Sequence, residues 1–600
     1  MAGQQVTDEQ AEAARVALAA IAADVAVALE AGKVHHKDGL HKVKQQAARR
    51  HRAPRMPSDP DLVPFLPEAL VERFAHLLRK KPTRSLAGVA VVAVMSSPAR
   101  CPHGTCIYCP GGPDVDAPQS YTGFEPSTMR AKRFDYDPYR IVQHRLATLE
   151  HNGHAIDKVD LVVQGGTFPS RDAAYRDWFI AGLYAALNDG PAEAPDADVA
   201  TPLPLTEAAW RLLDDDARAA RLRALQQENE GARCRAIGLT IETKPDWCLE
   251  AHVDEMLRYG ATRVELGLQC LDDDTLRFVH RGHTLEESRR AMQIARDAGL
   301  KLCVHMMPGL PRGRRDAPDG GKWATDEAED IRDMERLFAE EDWRPDLLKI
   351  YPTLVVQEGE TGLKAAWARG DYVPYDTAAA TRVVAASKPL VPEWCRIQRI
   401  DRDIPTTHVE AGVLNSNLRQ LAQLELQRKG KACRCLRCRE VGHRQLAGGP
   451  AADPDRLVLV RRDFDASGGK EAFLSFEDPE ADAVAGYLRL RLVGPDAHRS
   501  EARADAGPVA IVREVKVPGV AQALGADAEG GGEGGWQHRG LGAKLLAAAE
   551  EVAFTEWGAA RVLVIAGVGV RAYYRKHGYQ DLGPYVAKDA HEADSTGAQA

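Results

Sequence analysis

Between Leu86 and about Thr353, short apolar runs, many of them β-branched, alternate with stretches whose apolar residues return every three or four positions. The first pattern suits buried strands and the second amphipathic helices. Strands are expected at Val89 to Met95, Val159 to Val163, Ile237 to Ile241, Arg263 to Leu268, Leu300 to His305 and Leu347 to Tyr351. Each gap is long enough for a helical crossover, so these six strands imply a parallel barrel or part of one, an α/β fold of partial (β/α)6 form. Its chemistry is then expected on loops at the C-terminal strand ends.

The pattern changes on either side. Residues 7 to 31 read as a helix that Thr7 and Gln10 open with capping-box spacing and Gly32 stops. Past Arg456 come strand after strand (Leu457 to Val460, Ala472 to Phe476, Gly486 to Leu492, Val509 to Val517), a helix from Leu541 to Trp557, a strand Val562 to Ile565 and a short helix near Tyr573. That order marks a separate α+β domain. The expected division is 1–84, a helical and basic segment; 85–390, the barrel; 391–455, a linker; and 456–600, the α+β domain. Gly190 to about Thr206 reads as a surface insertion.

Composition adds little until the cysteines are placed. At 600 residues, with 44% apolar and 28% charged, the chain can bury more than one core. No run of eighteen apolar residues occurs, and the Ala-rich start carries Asp8, Glu9 and Glu12, so no membrane partner and a cytoplasmic location are expected. The net charge of −9 requires any nucleic-acid contact to come from a local patch. One such patch runs from Lys33 to Pro57 and includes Lys37, Lys42, Lys44, Arg49, Arg50 and Arg52 against the single acid Asp38. It reads either as a disordered basic linker or as a phosphate contact. Lys80, Lys81, Arg84, Arg130, Lys132 and Arg133 are further cationic candidates.

Six of the eleven cysteines fall in two tight groups, which suits metals better than disulfides. Cys101, Cys106 and Cys109 form C-x4-C-x2-C directly after the first barrel strand. Three thiolates can hold a 4Fe–4S cluster and leave one iron open to a ligand. A structural zinc site would want four closed ligands, and His103 is poorly placed to be the fourth. Gln164-Gly165-Gly166-Thr167 ends the second strand, where glycines allow a ligand close to the backbone. Cys433, Cys435 and Cys438 lie among basic residues and suit structural zinc, with Cys395 or His443 as the fourth ligand and Cys395 favoured; three unligated thiols are the bland alternative.

The stretches CPHGTCIYCPGGPD, QSYTGFEPSTMRAKRFDYDP, QGGTFP, RGHTLEE, HMMPGLP, LKIYPTLV and RDIP resemble the elongator protein 3 family, with the likeness running from about residue 85 to residue 588. The N-terminal segment resembles the family only in being basic, and C-x4-C-x2-C departs from the C-x3-C-x2-C that other radical enzymes of this type favour. The resemblance implies a radical S-adenosylmethionine (radical SAM) barrel, with Cys101, Cys106 and Cys109 as cluster ligands and Gly165 and Gly166 as cofactor contacts. Lys158 is implied on the acetyl-CoA or cofactor side. Glu242, Lys244, His305 and Lys349 are expected at the barrel mouth, with lysine at 244 where the family commonly has arginine.

Gln537-His538-Arg539-Gly540-Leu541-Gly542 resembles the Q/R-x-x-G-x-G/A loop of GNAT acetyltransferases. Backbone amides at a helix N-terminus bind a pyrophosphate, so Gln537, Gly540 and Gly542 are candidate acetyl-CoA contacts. Tyr573 and Tyr574 stand where such domains often place a tyrosine near the acyl sulfur, although one of the two is expected merely to pack a short helix.

The implied reaction joins the two domains. Reductive cleavage of S-adenosylmethionine gives a 5′-deoxyadenosyl radical, which takes hydrogen from the acetyl methyl group; the carbon radical adds to carbon five of a wobble uridine, and thioester hydrolysis leaves a carboxymethyl group. Implied partners are tRNA, through its anticodon loop, and an electron donor; a homodimer is allowed. Two other functions compete: a protein lysine acetyltransferase with a structural iron–sulfur cluster, and an inactive tRNA-binding scaffold.

Overall fold

The computed structural model describes residues 8–53, 55–81, 86, 88–195, 197–312, 323–519, 536 and 539–590. Gln537, the glycine run 530–535 and Arg84 lie outside them.

Seven strands form the first sheet in sequence order: β1 (Ala90–Met95), β2 (Lys158–Gln164), β3 (Arg235–Thr243), β4 (Arg263–Gln269), β5 (Lys301–Met306), β6 (Leu347–Ile350) and β7 (Arg396–Ile400). Every neighbouring pair is parallel. Val92, Val94, Leu161 and Val163 are fully buried, because crossover helices cover the outer face of a parallel sheet. The six expected strands are all present. The seventh lies in the stretch 391–455 expected to be a linker; its sequence, Arg-Ile-Gln-Arg-Ile, has too few apolar residues to announce a strand.

The second sheet holds β8 (Val458–Ala466), β9 (Gly469–Asp478), β10 (Ala483–Leu492), β11 (Val509–Lys516), β12 (Arg561–Val564), β13 (Gln580–Leu582) and β14 (Tyr585–Asp589), in the order β8-β9-β10-β11-β12-β14-β13. Only β11 and β12 run parallel. The helix Leu541–Glu551 covers one face, where Leu488, Leu490, Leu545 and Val562 are buried together.

The other face of this sheet meets the barrel. Period-two alternation in β10 turns Arg489 and Arg491 away from Leu488 and Leu490, and both arginines are buried in the interface. Arg513 on β11 donates to both oxygens of Asp346, at 2.6 and 2.7 Å, and to Glu471 at 2.9 Å. Arg491 pairs with Asp297 at 2.6 Å. These bidentate, fully buried ion pairs fix the two sheets in one orientation.

The basic stretch is mostly a helix, Lys37–Arg50, packed on the helix Asp8–Glu30. Ile21, Val25, Leu29, Leu40 and Ala47 share a small core with Leu62 and Leu77. A disordered linker is therefore excluded for this part. Among the described residues no helix is long and apolar enough to cross a membrane.

Candidate functional site

The C-terminal ends of the barrel strands surround a cavity of about 520 Å³. Cys101 and Cys109 line it, together with Gln164, Gly166 and Thr167 at the end of β2. Gly165 has φ +120°, and a Cβ there would stand 2.3 Å from Ser96 Oγ; Gly166 has φ +77°, and a Cβ there would face Cys101 Sγ at 3.8 Å. Both positive-φ positions favour glycine, and at Gly165 the missing Cβ also lets the end of β2 close on Ser96 just after β1.

The cysteine loop supplies three thiols, and His103 of the loop together with groups from neighbouring segments approaches their sulfurs. The Ser120 amide points at Cys109 Sγ at 3.1 Å, Arg281 at Cys106 Sγ at 3.8 Å, and His103 Nε2 lies 3.3 Å from Cys106 Sγ. Thr167 Oγ1 is 3.4 Å from Cys101 Sγ. Burial raises the Cys101 thiol, against the pull of Thr167, Arg281 and Lys244. Burial and the Cys106 sulfur push Cys109 up to about 11. Burial, Lys244 and Arg281 lower His103 to about 4, so its ring is neutral at pH 7. Three thiols with N–H donors and buried cations beside an open cavity fit a 4Fe–4S cluster, whose charge such groups offset and whose unligated iron needs space.

Inside the barrel the expected mouth residues form one network. Glu242 accepts from Tyr121 at 2.7 Å, from Gln164 at 3.2 Å and from Lys349 at 3.1 Å. Lys349 also meets Glu265, which His305 Nε2 contacts at 3.0 Å. Burial drives Glu265 up, but Lys349, His305 and Arg263 outweigh it and hold its carboxyl well below the usual range. Lys244 is buried and donates to Asp246 and the Gly282 carbonyl, each at 3.2 Å. Tyr121, Glu265, Arg281 and Gln119 did not stand out in the sequence; only the RGHTLEE and QSYTGF stretches that hold Arg281, Gln119 and Tyr121 gave a signal.

Lys158 is not at this mouth. It begins β2, about 20 Å of strand from Gln164, and pairs in register with Arg235. That end of the barrel abuts the C-terminal domain, where Cβ atoms at Gly569 and Gly567 would collide with Arg235 and with the Ile237 carbonyl.

In the C-terminal domain Gly540 opens the helix with φ +73°. A Cβ at Gly542 would lie 3.0 Å from Tyr573 Oη, so Tyr573 sits over the first helical turn. Tyr573 is 38% exposed, whereas Tyr574 is buried in the core with Leu545 and Val562. The structure thus separates the two tyrosines. The Arg539 guanidinium lies over the Trp536 ring, 5.7 Å from its centre.

The ligand atoms of Cys433, Cys435 and Cys438 all lie within 4.8 Å of one another, and Cys435 Sγ is 3.7 Å from Cys438 Sγ. Tetrahedral zinc with bonds near 2.3 Å spaces sulfurs by about 3.8 Å, so the trio fits. Neither Cys395 nor His443 joins that group. Cys395 is fully buried just before β7, and its carbonyl accepts the Leu436 amide at 2.9 Å.

The basic helix divides. Lys44 is buried, donates to the Pro57 carbonyl at 2.9 Å and pairs with Asp59, so it is removed from the nucleic-acid candidates. Lys37 also pairs with Asp59, at 2.6 Å, and Arg50 with Asp24 at 3.0 Å. Lys42, Arg49 and Arg52 are exposed. Nearer the cavity, Lys81, Arg130, Arg145, Arg399 and Arg402 line its wall.

Three family descriptions match the chain: the Radical SAM superfamily over residues 95–317, the Radical SAM C-terminal domain over 345–428 and the ELP3 N-terminal domain over 18–86. The N-terminal segment therefore shares more than basic character with the family. The tRNA uridine(34) acetyltransferase of Methanocaldococcus infernus is 40% identical, covering 93% of this chain and 96% of that protein. Elongator complex protein 3 of Drosophila melanogaster is 39% identical over 94% of this chain and 95% of its own, and that of Homo sapiens 38% over 92% and 93%. The solved structure of archaeal M. infernus Elp3 with an N-terminal deletion aligns with a TM-score of 0.67 and 36% identity over 84% of this chain and 99% of that one.

Proposed function

Because the chain belongs to the elongator protein 3 family of radical SAM enzymes, we propose that it builds a carboxymethyl group on carbon five of the wobble uridine of tRNA, with acetyl-CoA as the carbon donor. The observation that carries this reading is a cavity at the barrel mouth lined by Cys101, Cys109, Gly166 and several cations, with Cys106 held beside it by His103 and Arg281. A 4Fe–4S cluster on Cys101, Cys106 and Cys109, when bound, supplies the electron that splits S-adenosylmethionine into methionine and a 5′-deoxyadenosyl radical. Gly165 and Gly166 leave room for the amino-acid end of that cofactor. Tyr121, Glu242, Lys349, Glu265 and His305 hold one another rigid beneath it. Their pairing gives the reacting groups fixed dipoles in place of bulk water. The cavity admits a base only out of its stack, which suits an anticodon loop.

The C-terminal domain serves as the donor holder in this reading. Gly540 and Gly542 let CoA phosphates approach the helix N-terminus, and Tyr573, not Tyr574, faces that turn. Lys158 acts on the acetyl-CoA side, at the barrel end that abuts this domain. Cys433, Cys435 and Cys438 hold zinc next to β7. The segments 1–84 and 456–600 flank a barrel unit that begins near 85 and continues through β7 into the stretch 391–455. A reducing, cytoplasmic setting with a one-electron donor suits three thiolates.

The test is anaerobic reconstitution followed by incubation with tRNA, S-adenosylmethionine, acetyl-CoA and a reductant. Mass spectrometry of the wobble nucleoside is expected to find the added carboxymethyl group. Cys109→Ser is expected to hold less iron and make no product while still binding tRNA. Unmodified uridine together with efficient acetylation of basic peptides would establish the lysine acetyltransferase reading instead.

A further inference from the structure

At the rim of the cavity the chain presents an aromatic ring that its core does not use. Phe124 is 39% exposed and lies between Tyr121 and the pair Glu125 and Pro126, all three of which line the cavity. His408 covers one face of the ring, with centroids 3.9 Å apart and planes at 21°. Glu358 in turn holds His408 through Nδ1. The Glu125 carboxylate accepts the amides of Thr122 and Gly123 at 2.8 and 3.1 Å, and Thr122 Oγ1 accepts the Phe124 amide at 3.3 Å. The turn is therefore fixed, and with His408 against one face the ring still keeps 39% of its surface exposed.

The helix Pro126–Arg133 continues the rim. Pro126, Met129 and Arg133 are exposed and, at spacings of three and four, share one face. Arg130, Arg399 and Arg402 line the adjoining wall. A flat ring with an open face, flanked by cations, matches how single strands of nucleic acid are held: bases stack while phosphates meet arginine or lysine. A lipid surface would require a wider apolar patch than one phenyl ring and a methionine.

We propose that Phe124, backed by His408, is a stacking platform for the nucleobase next to the uridine that enters the cavity. This assignment rests on the wobble-uridine reading. Stacking one neighbour on a preset ring fixes the direction of the RNA strand and brings the next nucleotide to the cavity mouth. Phe124 is thus a positioning residue, and any base can occupy it, because every base offers a π face.

The probe is an anticodon stem-loop RNA carrying 2-aminopurine at either position flanking the wobble uridine, titrated with the reconstituted full chain. Wild-type protein is expected to quench the fluorescence from one of the two positions. Phe124→Ala is expected to lose that quenching and to bind the stem-loop roughly tenfold or more weakly. Phe124→Trp is expected to restore both. Since stacking is not ionic, the slope of log affinity against log salt should be the same in Phe124→Ala as in wild type, whereas Arg133→Ala should flatten it. Equal quenching in wild type and Phe124→Ala overturns the platform and leaves the uridine reading intact. A wild-type chain that does not bind the stem-loop overturns the uridine reading and the platform with it.

Discussion

Tyr573 and Tyr574 share a chemistry and a neighbourhood in the sequence, yet only one is available for work. Burial raises both phenols above their usual value, Tyr574 the further, so both are protonated at pH 7 and Tyr573 can donate. Tyr573→Phe removes one hydroxyl over the first turn of the Leu541 helix. It is expected to slow the acetyl-CoA-dependent step by about 100-fold, the usual worth of a positioned acid, with no change in melting temperature. Tyr574→Ala instead opens a cavity in the second core and should cost about 3 kcal/mol of stability. Thermal melts beside steady-state rates decide this; an unaffected rate in Tyr573→Phe removes the residue from the site. The lysines divide in the same way. Lys42 and Lys44 are two residues apart on one helix, and a half-turn puts the first in water and the second under Asp59.

Among elements, the two cysteine groups share a C-x2-C half but differ in the first gap, four residues against one, and in the space each encloses. The first lies around a cavity and its sulfurs do not form a group within 4.8 Å, whereas the second draws three sulfurs into that distance against β7. An open cluster and a closed metal ion need those different spreads. Elemental analysis is expected to find about one zinc per chain in addition to iron, and Cys438→Ser to lower zinc affinity by at least tenfold, the size of loss that follows even when a metal ligand's supporting partner is removed. Retention of full zinc in that variant rules out the site. Strands were legible where β-branched runs are continuous, as in β1 and β2. β7 was not, because Arg396 and Arg399 break its pattern, and Arg396 is satisfied by Glu440 at 2.8 Å, a residue 44 positions away.

For the molecule as a whole, the joint between the sheets decides how the two halves face each other. Burial alone would raise Asp346, but Arg513 and Arg489 outweigh it and hold its carboxyl well below the usual range. A carboxyl depressed on folding stabilises the native state above its unfolded value of about 4, and that contribution fades as pH falls toward the lower native value. Asp346→Asn leaves Arg513 and Arg489 buried with too little compensation and should cost about 3–5 kcal/mol at pH 7. The gap between variant and wild type should narrow below about pH 4, as the wild-type carboxylate also gains its proton. Denaturant melts of both proteins at pH 7 and pH 3 check this; a gap that stays constant or widens in acid contradicts the linkage.

The sequence by itself determined the features built from near neighbours: two cysteine groups, the glycine pair ending β2, the glycine turn opening the Leu541 helix, and six of seven barrel strands. Spacing and periodicity act over a few residues and are complete in the string of letters. Tertiary structure alone decided which charges remain free. The alternation Leu488-Arg489-Leu490-Arg491 reads as a strand with one wet face, but the barrel covers that face and supplies Asp297 and Asp346 from residues more than 140 positions earlier. Whether a cation meets solvent, RNA or a buried carboxylate depends on partners brought together only when both sheets have folded, because burial multiplies the strength of a charge pair and the penalty of an unpaired charge alike.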